Sequence, residues 1–148
     1  MKQNDKNYIL TVGRRKAAVA RVRLYKSLKD GVSWGEKELK KGDILVNLKP
    51  IEQYFSSAVA KVAYMEPFKT TNTLDKYALT IKVSGGGTSS QLGAVIHGIA
   101  RVLDKMDKEK FHTLLKKKGF LTRDARVRER RKVGTGGKAR RKKQSPKR

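Results

Sequence analysis

The sequence predicts an α+β fold: one body over residues 1–120 and an extended basic tail over 121–148. Three observations carry that prediction. Two runs, residues 18–25 and 77–83, alternate small or apolar side chains with polar ones at the period of a strand. Between Leu92 and Met106 the apolar residues recur instead at the period of a helix. Beyond Phe120 the apolar content falls away while the cations continue, which places the boundary there. A chain of 148 residues suits one such body with an extension.

Charge narrows the partners. Lys and Arg number 37 against 13 acids, for a net +24. Residues 121–148 hold thirteen cations against two acids, Asp124 and Glu129, so +11 of that charge lies on the tail and +13 remains on the body. A balance this basic attracts nucleic acid or an anionic membrane. The membrane is disfavoured, because the chain lacks an apolar run of about 18 residues and the tail has almost no apolar anchors. With no cysteine, disulfides and thiolate metal sites are excluded, which fits a reducing compartment. Residues 1–8 are too short and polar for a signal peptide, and Arg21, Arg23 and Lys26 interrupt any apolar region behind Arg14-Arg15. The protein is therefore expected to stay where it is made. After Val133 no large apolar side chain remains. Alone in water that segment is expected to be disordered, and a polyanion that releases counterions would supply the attraction it lacks.

Taken in order, residues 8–12 read as a short strand ending at Gly13, followed by the basic cluster Arg14-Arg15-Lys16. In residues 18–25, Ala18, Ala20, Val22 and Leu24 share the inner face, and Arg21, Arg23 and Tyr25 the outer one. With the cluster just upstream, RNA contact is favoured over a merely solvated strand face. Residues 26–43 form a polar connection punctuated by Gly31, Gly35 and Gly42, and Trp34 within it is expected to cover an edge of the core. Ile44, Val46 and Leu48 alternate as another strand. Pro50 suits the first turn of a helix that carries Ile51, Tyr54, Phe55, Ala58, Val59, Val62 and Ala63 until Pro67 stops it, and residues 70–73 read as a loop. The next strand points Tyr77, Leu79, Ile81 and Val83 inward and Ala78, Thr80 and Lys82 outward. After Gly85-Gly-Gly87 a helix begins near Ser89, with Leu92, Val95, Ile96, Ile99, Leu103 and Met106 as its stripe. Gly93, Ala94 and Gly98 are small enough to let it lie close on the sheet. Asp107 then caps a second helix, which buries Phe111, Leu114 and Leu115 and stops at Lys116-Lys-Lys-Gly119.

The candidate chemistry is sparse. A strand, Gly85-Gly-Gly87 and a helix could seat a phosphate on bared amides. As a nucleotide motif the stretch fails: Thr88-Ser-Ser-Gln-Leu stands where a P-loop needs Gly-Lys-Ser/Thr, and Gly93 and Asp104 do not recreate a dinucleotide fingerprint. A tight turn with a serine or threonine cap and a seat for an RNA phosphate both remain open. His97 and His112 have no second ligand at metal spacing. His97 reads as a satisfied helix residue or an RNA donor. Asp30, Glu36, Glu38 and Asp43 are scattered in a polar loop, and ion pairs with arginines explain Asp124 and Glu129. No catalytic site, metal site or cofactor is expected. The RNA candidates are Arg14, Arg15, Lys16, Arg21 and Arg23 on the body, and Arg123, Arg126, Arg128, Arg130, Arg131, Lys132, Lys138, Arg140 and Arg141 on the tail. A short helix over residues 123–131 would set arginines on adjoining faces toward two phosphate strands, and Gly134, Gly136 and Gly137 would end it.

Several motifs occur together in a recognisable order. They are Gly13-Arg-Arg-Lys-Ala-Ala-Val-Ala-Arg21-Val, Asn47 with Pro50 and Tyr54-Phe55, and Gly85-Gly-Gly-Thr-Ser-Ser-Gln91 with His97-Gly-Ile-Ala-Arg101. Gly119-Phe-Leu-Thr-Arg-Asp-Ala-Arg126, Glu129-Arg-Arg-Lys132 and Lys138-Ala-Arg-Arg141 follow. In this order they resemble the small-subunit ribosomal protein S-nine family, in its bacterial or organellar form. The resemblance implies a two-layer sandwich, with helices on one face of a mixed β-sheet and a left-handed β-α-β crossover. It implies a place in the head of the small subunit, with small-subunit ribosomal RNA and neighbouring head proteins as partners and no small-molecule substrate. The protein would then be cytoplasmic, or in an organelle, within the ribosome. By position, Lys147 and Arg148 would approach the anticodon stem-loop of the peptidyl-site tRNA. The fold is shared with small-molecule kinases that have a glycine- and serine-rich phosphate loop, but their catalytic partners have no counterpart here. The chain departs from the family in its longer connection over residues 26–43 and in Gly134-Thr-Gly-Gly137. It also ends in Gln144-Ser-Pro-Lys-Arg148 where the family usually has Gln-Phe-Ser-Lys-Arg, which removes an aromatic ring and an amide donor.

Overall fold

The computed structural model describes residues 8–28, 32–35 and 37–132. The chain begins with a hairpin of β1 (Tyr8–Arg15) and β2 (Ala18–Tyr25), in which Arg15 pairs with Ala18 across a turn of Lys16 and Ala17. β1 thus runs two residues past Gly13, and the alternation sends Arg14 and Arg15 to opposite faces. β3 (Ser33–Trp34) and β4 (Lys37–Glu38) make a separate two-stranded hairpin. β5 (Ile44–Val46) and β6 (Lys49–Pro50) then lead to α1 (Ile51–Tyr54), α2 (Ala58–Thr71) and β7 (Ala78–Ser84). α3 (Thr88–Met106) and α4 (Lys108–Lys117) complete the body. The main sheet has the order β1-β2-β7-β5-β6, and the β5–β7 pair is parallel while the other pairs are antiparallel. The sheet is mixed and the class is α+β.

One face of the sheet carries the core. Ala18, Ala20, Val22, Leu24, Val46, Leu79, Ile81 and Val83 are buried there with Val95, Ile99, Val102 and Leu103 of α3, Tyr64 and Phe68 of α2, and Leu115 of α4. α3 lies directly on β1 and β2, and glycines set its distance. A Cβ on Gly13 would stand 2.0 Å from the Ala94 carbonyl oxygen, and one on Gly98 2.6 Å from a Val22 methyl. The Thr11 hydroxyl donates to the Gly98 carbonyl at 2.9 Å in the same seam.

The opposite face is only partly open. Tyr25, Leu39, Leu45 and Ala78 are buried there with Tyr8, Leu28, Val32 and Trp34 packed against them. Trp34 therefore covers an edge, as its isolation in the sequence suggests. Ala78 and Thr80, expected to face outward, are 0% and 2% exposed, because the connection after β2 folds over that end of the sheet.

Two helix boundaries also differ from the sequence pattern. The helix expected from Pro50 breaks at residues 55–57, and Pro67 sits inside α2 instead of ending it. Proline lacks one amide donor and crowds one carbonyl; burial of Tyr64, Pro67, Phe68 and Thr71 carries the helix through. It stops at Asn72, whose left-handed backbone (φ 52°) returns its N–H to the Lys69 and Phe68 carbonyls. α3 starts at Gly87 without a side-chain cap, where the sequence suggests a serine or threonine one. Gly87 has an ordinary extended φ of −98°, and a Cβ added to it would meet nothing within 4 Å. Gly87→Ser is therefore expected to raise stability by about 0.5–1 kcal/mol, through the added cap and the stiffer unfolded chain. Chemical denaturation measures this, and a lower midpoint would refute it.

Candidate nucleic-acid interface

The open part of the outer sheet face is cationic by register. Val12, Arg21 and Lys82 lie side by side across β1, β2 and β7, and Leu10 and Arg23 form the next row, which ends at the buried Thr80. Arg14, Arg21, Arg23 and Lys82 are all exposed. Arg21 and Lys82 are like charges directly opposed, a pairing that costs an isolated sheet stability. A bound anion would offset that cost. The Arg23 guanidinium carbon lies 5.1 Å from the centroid of the Tyr8 ring, and Tyr8 packs on Tyr25 at 5.6 Å between centroids. This cation–π contact holds Arg23 upright on the face. Lys16 extends the patch from the turn, exposed and with a left-handed backbone (φ 51°). Of this group, sequence reasoning missed Lys82; its outward phase was visible, but its place beside Arg21 needed the β2–β7 register.

Arg15 points the other way, onto α3. A Cβ on Gly93 would stand 2.3 Å from Arg15 Cδ, so the missing side chain of Gly93 is the channel in which Arg15 lies. Its guanidinium reaches Asp124 at 3.2 Å. Asp124 also accepts from Arg126 through Nε at 3.0 Å, Nη2 at 2.8 Å and the backbone N–H at 3.1 Å. Those hydrogen bonds, with the charge of Arg15 behind them, hold the Asp124 carboxyl well below the usual carboxylate range. Because the folded-state value is depressed, the contribution of this network is present above the ordinary carboxylate range and is lost only as the pH falls through that low value. His97 stands beside it. Burial, then the nearby Arg101, lowers its pKa from the ordinary histidine value, and its ring lies against backbone groups of Leu121 and Arg14. Nδ1 accepts from Arg14 N–H at 3.4 Å. His97 is thus a satisfied helix residue. Arg14, Arg15, His97, Phe120, Thr122 and Asp124 line a cleft of about 150 Å³ where the tail leaves the body.

From Arg123 to Lys132 the chain forms no helix, so the expected two-faced arginine helix does not exist. Arg123, Arg126, Arg128, Arg130, Arg131 and Lys132 are instead exposed along a stretch without regular secondary structure. Lys138, Arg140, Arg141, Lys147 and Arg148 lie outside the described residues, as do Gly134, Gly136 and Gly137.

The glycine turn is braced from within. Gly85 and Gly86 have φ of 72° and 65°, and a Cβ on Gly85 would meet the Ala17 carbonyl oxygen at 2.4 Å. The Asn47 side chain accepts from Val83 N–H at 2.9 Å and donates to its carbonyl at 3.1 Å, continuing the β5–β7 pairing by one residue. The Tyr54 hydroxyl donates to Gln91 at 3.0 Å, and Gln91 donates to the Gly85 carbonyl at 3.2 Å. Asn47, Tyr54 and Gln91 thus serve the tight turn. Arg101 is likewise structural, donating to the Val12 carbonyl. His112 pairs with Asp104 at 2.8 Å. Among the described residues, no group of three or more His, Cys, Asp or Glu could hold a metal ion, and no helix is long and apolar enough to cross a membrane.

Comparison with known proteins agrees with these motifs. The family model described as ribosomal protein S9/S16 matches residues 13–148. The chain is 46% identical over 136 residues to small ribosomal subunit protein uS9 of Rickettsia canadensis, covering 92% of this chain and 75% of that protein. It is 45% identical over 136 residues to the protein of the same name from Rickettsia felis, with the same coverage.

Proposed function

Because the chain belongs to the ribosomal protein S-nine family, and is thus a small-subunit ribosomal protein of translation and not an enzyme, we propose that it grips ribosomal RNA of the subunit head at two linked places. The observation that carries this reading is the continuity of the open sheet face with the tail root. Arg21, Arg23 and Lys82 lead to Arg14, whose backbone meets His97, and His97 in turn meets Leu121 at the start of the tail. RNA on the sheet face would thus reach the tail root around the β1 edge of the sheet. Membership supports ribosomal RNA and neighbouring ribosomal proteins as partners, and it favours a left-handed sense for the crossover from β5 through α1 and α2 to β7. On this reading Arg14, Lys16, Arg21, Arg23, Arg123, Arg128, Arg130, Arg131 and Lys132 meet phosphates of the head. Lys138, Arg140 and Arg141 continue that contact, and Lys147 and Arg148 reach the anticodon stem-loop of the peptidyl-site tRNA.

A steep salt response tests the proposal. Even with only about 6–10 of these cations on phosphates, affinity for a head-domain RNA fragment is expected to fall about 10³–10⁵-fold between 50 and 200 mM salt. Titration at several salt concentrations reads this out, and a nearly flat response would exclude phosphate contact as the basis of binding.

A further inference from the structure

We propose that Asp124 is a latch that fixes the direction in which the tail leaves the body, so that Arg15 and Arg126 act as positioning residues rather than as phosphate contacts. The inference rests on the reading of the tail as an RNA-binding arm, and three features of the tail root carry it.

The chain is already tethered up to Leu121. The Gly119 and Phe120 amides close α4 onto Lys116 and Leu115, and Phe120 and Leu121 pack against the core. Thr122 N–H turns back to the Gly119 carbonyl at 3.3 Å. Holding Asp124, two residues further on, therefore costs little additional chain entropy.

The carboxylate then joins body to tail. One oxygen takes Arg126 Nε and the Arg126 amide, and the other takes Nη2 of Arg126 and Nη2 of Arg15. A lone exposed ion pair contributes little, but a bidentate arginine–carboxylate pair within a network is the exception. The side chains of Asp124 and Arg15 are 27% and 36% exposed, so water screens them less than a surface pair.

The body is also shaped for this contact. Any side chain on residue 93 would occupy the channel of Arg15, and Gly93 leaves it clear. The Nε–Nη2 edge of Arg126 is committed to Asp124, so the chain leaves residue 126 on a set heading.

Charge reversal separates positioning from simple attraction. The full-length protein is compared with R15D, D124R and the R15D/D124R pair, reading ¹⁵N relaxation over residues 123–127 and affinity for the head RNA fragment. Charge alone predicts that D124R, with two more positive charges, binds RNA more tightly. The latch predicts that D124R and R15D both lose order at 123–127 and bind about tenfold more weakly, and that the pair, which restores the ion pair between body and tail but not the Arg126 bonds, recovers part of both losses. Gly93→Ala is the charge-neutral probe: it displaces Arg15, favours α3 itself and is expected to loosen residues 123–127 with no loss of melting temperature. Tighter binding by D124R, or a double variant no better than R15D, would overturn the latch. The relaxation readout decides it without RNA, so a failure of RNA binding by the parent protein would count against the proposed function alone.

Discussion

Gly13→Val is expected to abolish cooperative folding. The Cβ of residue 13 would lie 2.0 Å from the Ala94 carbonyl oxygen, 2.4 Å from Gly98 N and 2.8 Å from Gly98 Cα. All three are backbone atoms of α3, so no rotamer change can relieve the clash. The helix would have to lift off β1 and β2, taking with it Val95, Ile99, Val102 and Leu103, all of them fully buried. Overpacking a core costs about 1–3 kcal/mol where side chains can give way, and a domain has only about 5–15 kcal/mol in total. Gly13→Ala, with the Cβ alone, is expected to lose about 3 kcal/mol, or about 10 °C in melting temperature. The Thr11 hydroxyl would lose its Gly98 acceptor as the seam opens. Thermal melts followed by circular dichroism test the pair. A valine variant melting within a few degrees of the parent would mean that α3 and β1 do not touch in this way.

The strands and helices that make this seam can be read from side-chain period, because each buries one face against the other layer. The alternation of Ala18, Ala20, Val22 and Leu24 and the stripe from Leu92 to Met106 both mark surfaces that are buried. Asp107 can also be read as a cap, since capping needs only a local oxygen, and it accepts from Lys110 N–H at 3.3 Å. What escapes the pattern depends on distant parts of the chain. Ala78 and Thr80 have the phase of an outer face, and only the fold of the connection over them explains their burial. Pro67 breaks helices locally, yet the core contacts of α2 override it. Arg15 sits beside Arg14 in a basic cluster and reads with it as an RNA contact. Their opposite directions follow from β1 reaching Arg15, and the partner of Arg15 lies more than a hundred residues away. Asp124 reads from its neighbourhood as a partner of arginines, and that is where it is found. The arginine helix fails for a related reason: residues 123–132 carry too little apolar surface to pack a helix against the body, and a short helix does not stand alone in water.

Truncation after Lys132 is expected to cost the largest share of RNA affinity. Residues 133–148 hold seven cations: Lys138, Arg140, Arg141, Lys142, Lys143, Lys147 and Arg148. With Lys147 and Arg148 reserved for tRNA, the other five would each meet a phosphate of the head RNA, and the slope of log affinity against log salt falls in magnitude by about 3.5, at about 0.7 per single-strand contact. The body should melt as before, because its core and the root at Phe120, Leu121 and Asp124 are retained. Removing only Lys147 and Arg148 is the finer cut. Subunits should then assemble normally and hold peptidyl-site tRNA about tenfold less well, a difference that shrinks as salt weakens those two contacts in the parent. The ending bears on the size of this effect. With Ser145-Pro146 before them, the last two charges have no adjacent ring to stack on a base, so in the proposed contact charge would supply nearly all of the hold. Replacing Lys147 with arginine and Arg148 with lysine should accordingly leave tRNA retention nearly intact, while glutamine at both positions should match the deletion. Failed assembly of the two-residue deletion, with normal tRNA retention in whatever subunits form, would make the tip an anchor in ribosomal RNA and refute its contact with tRNA.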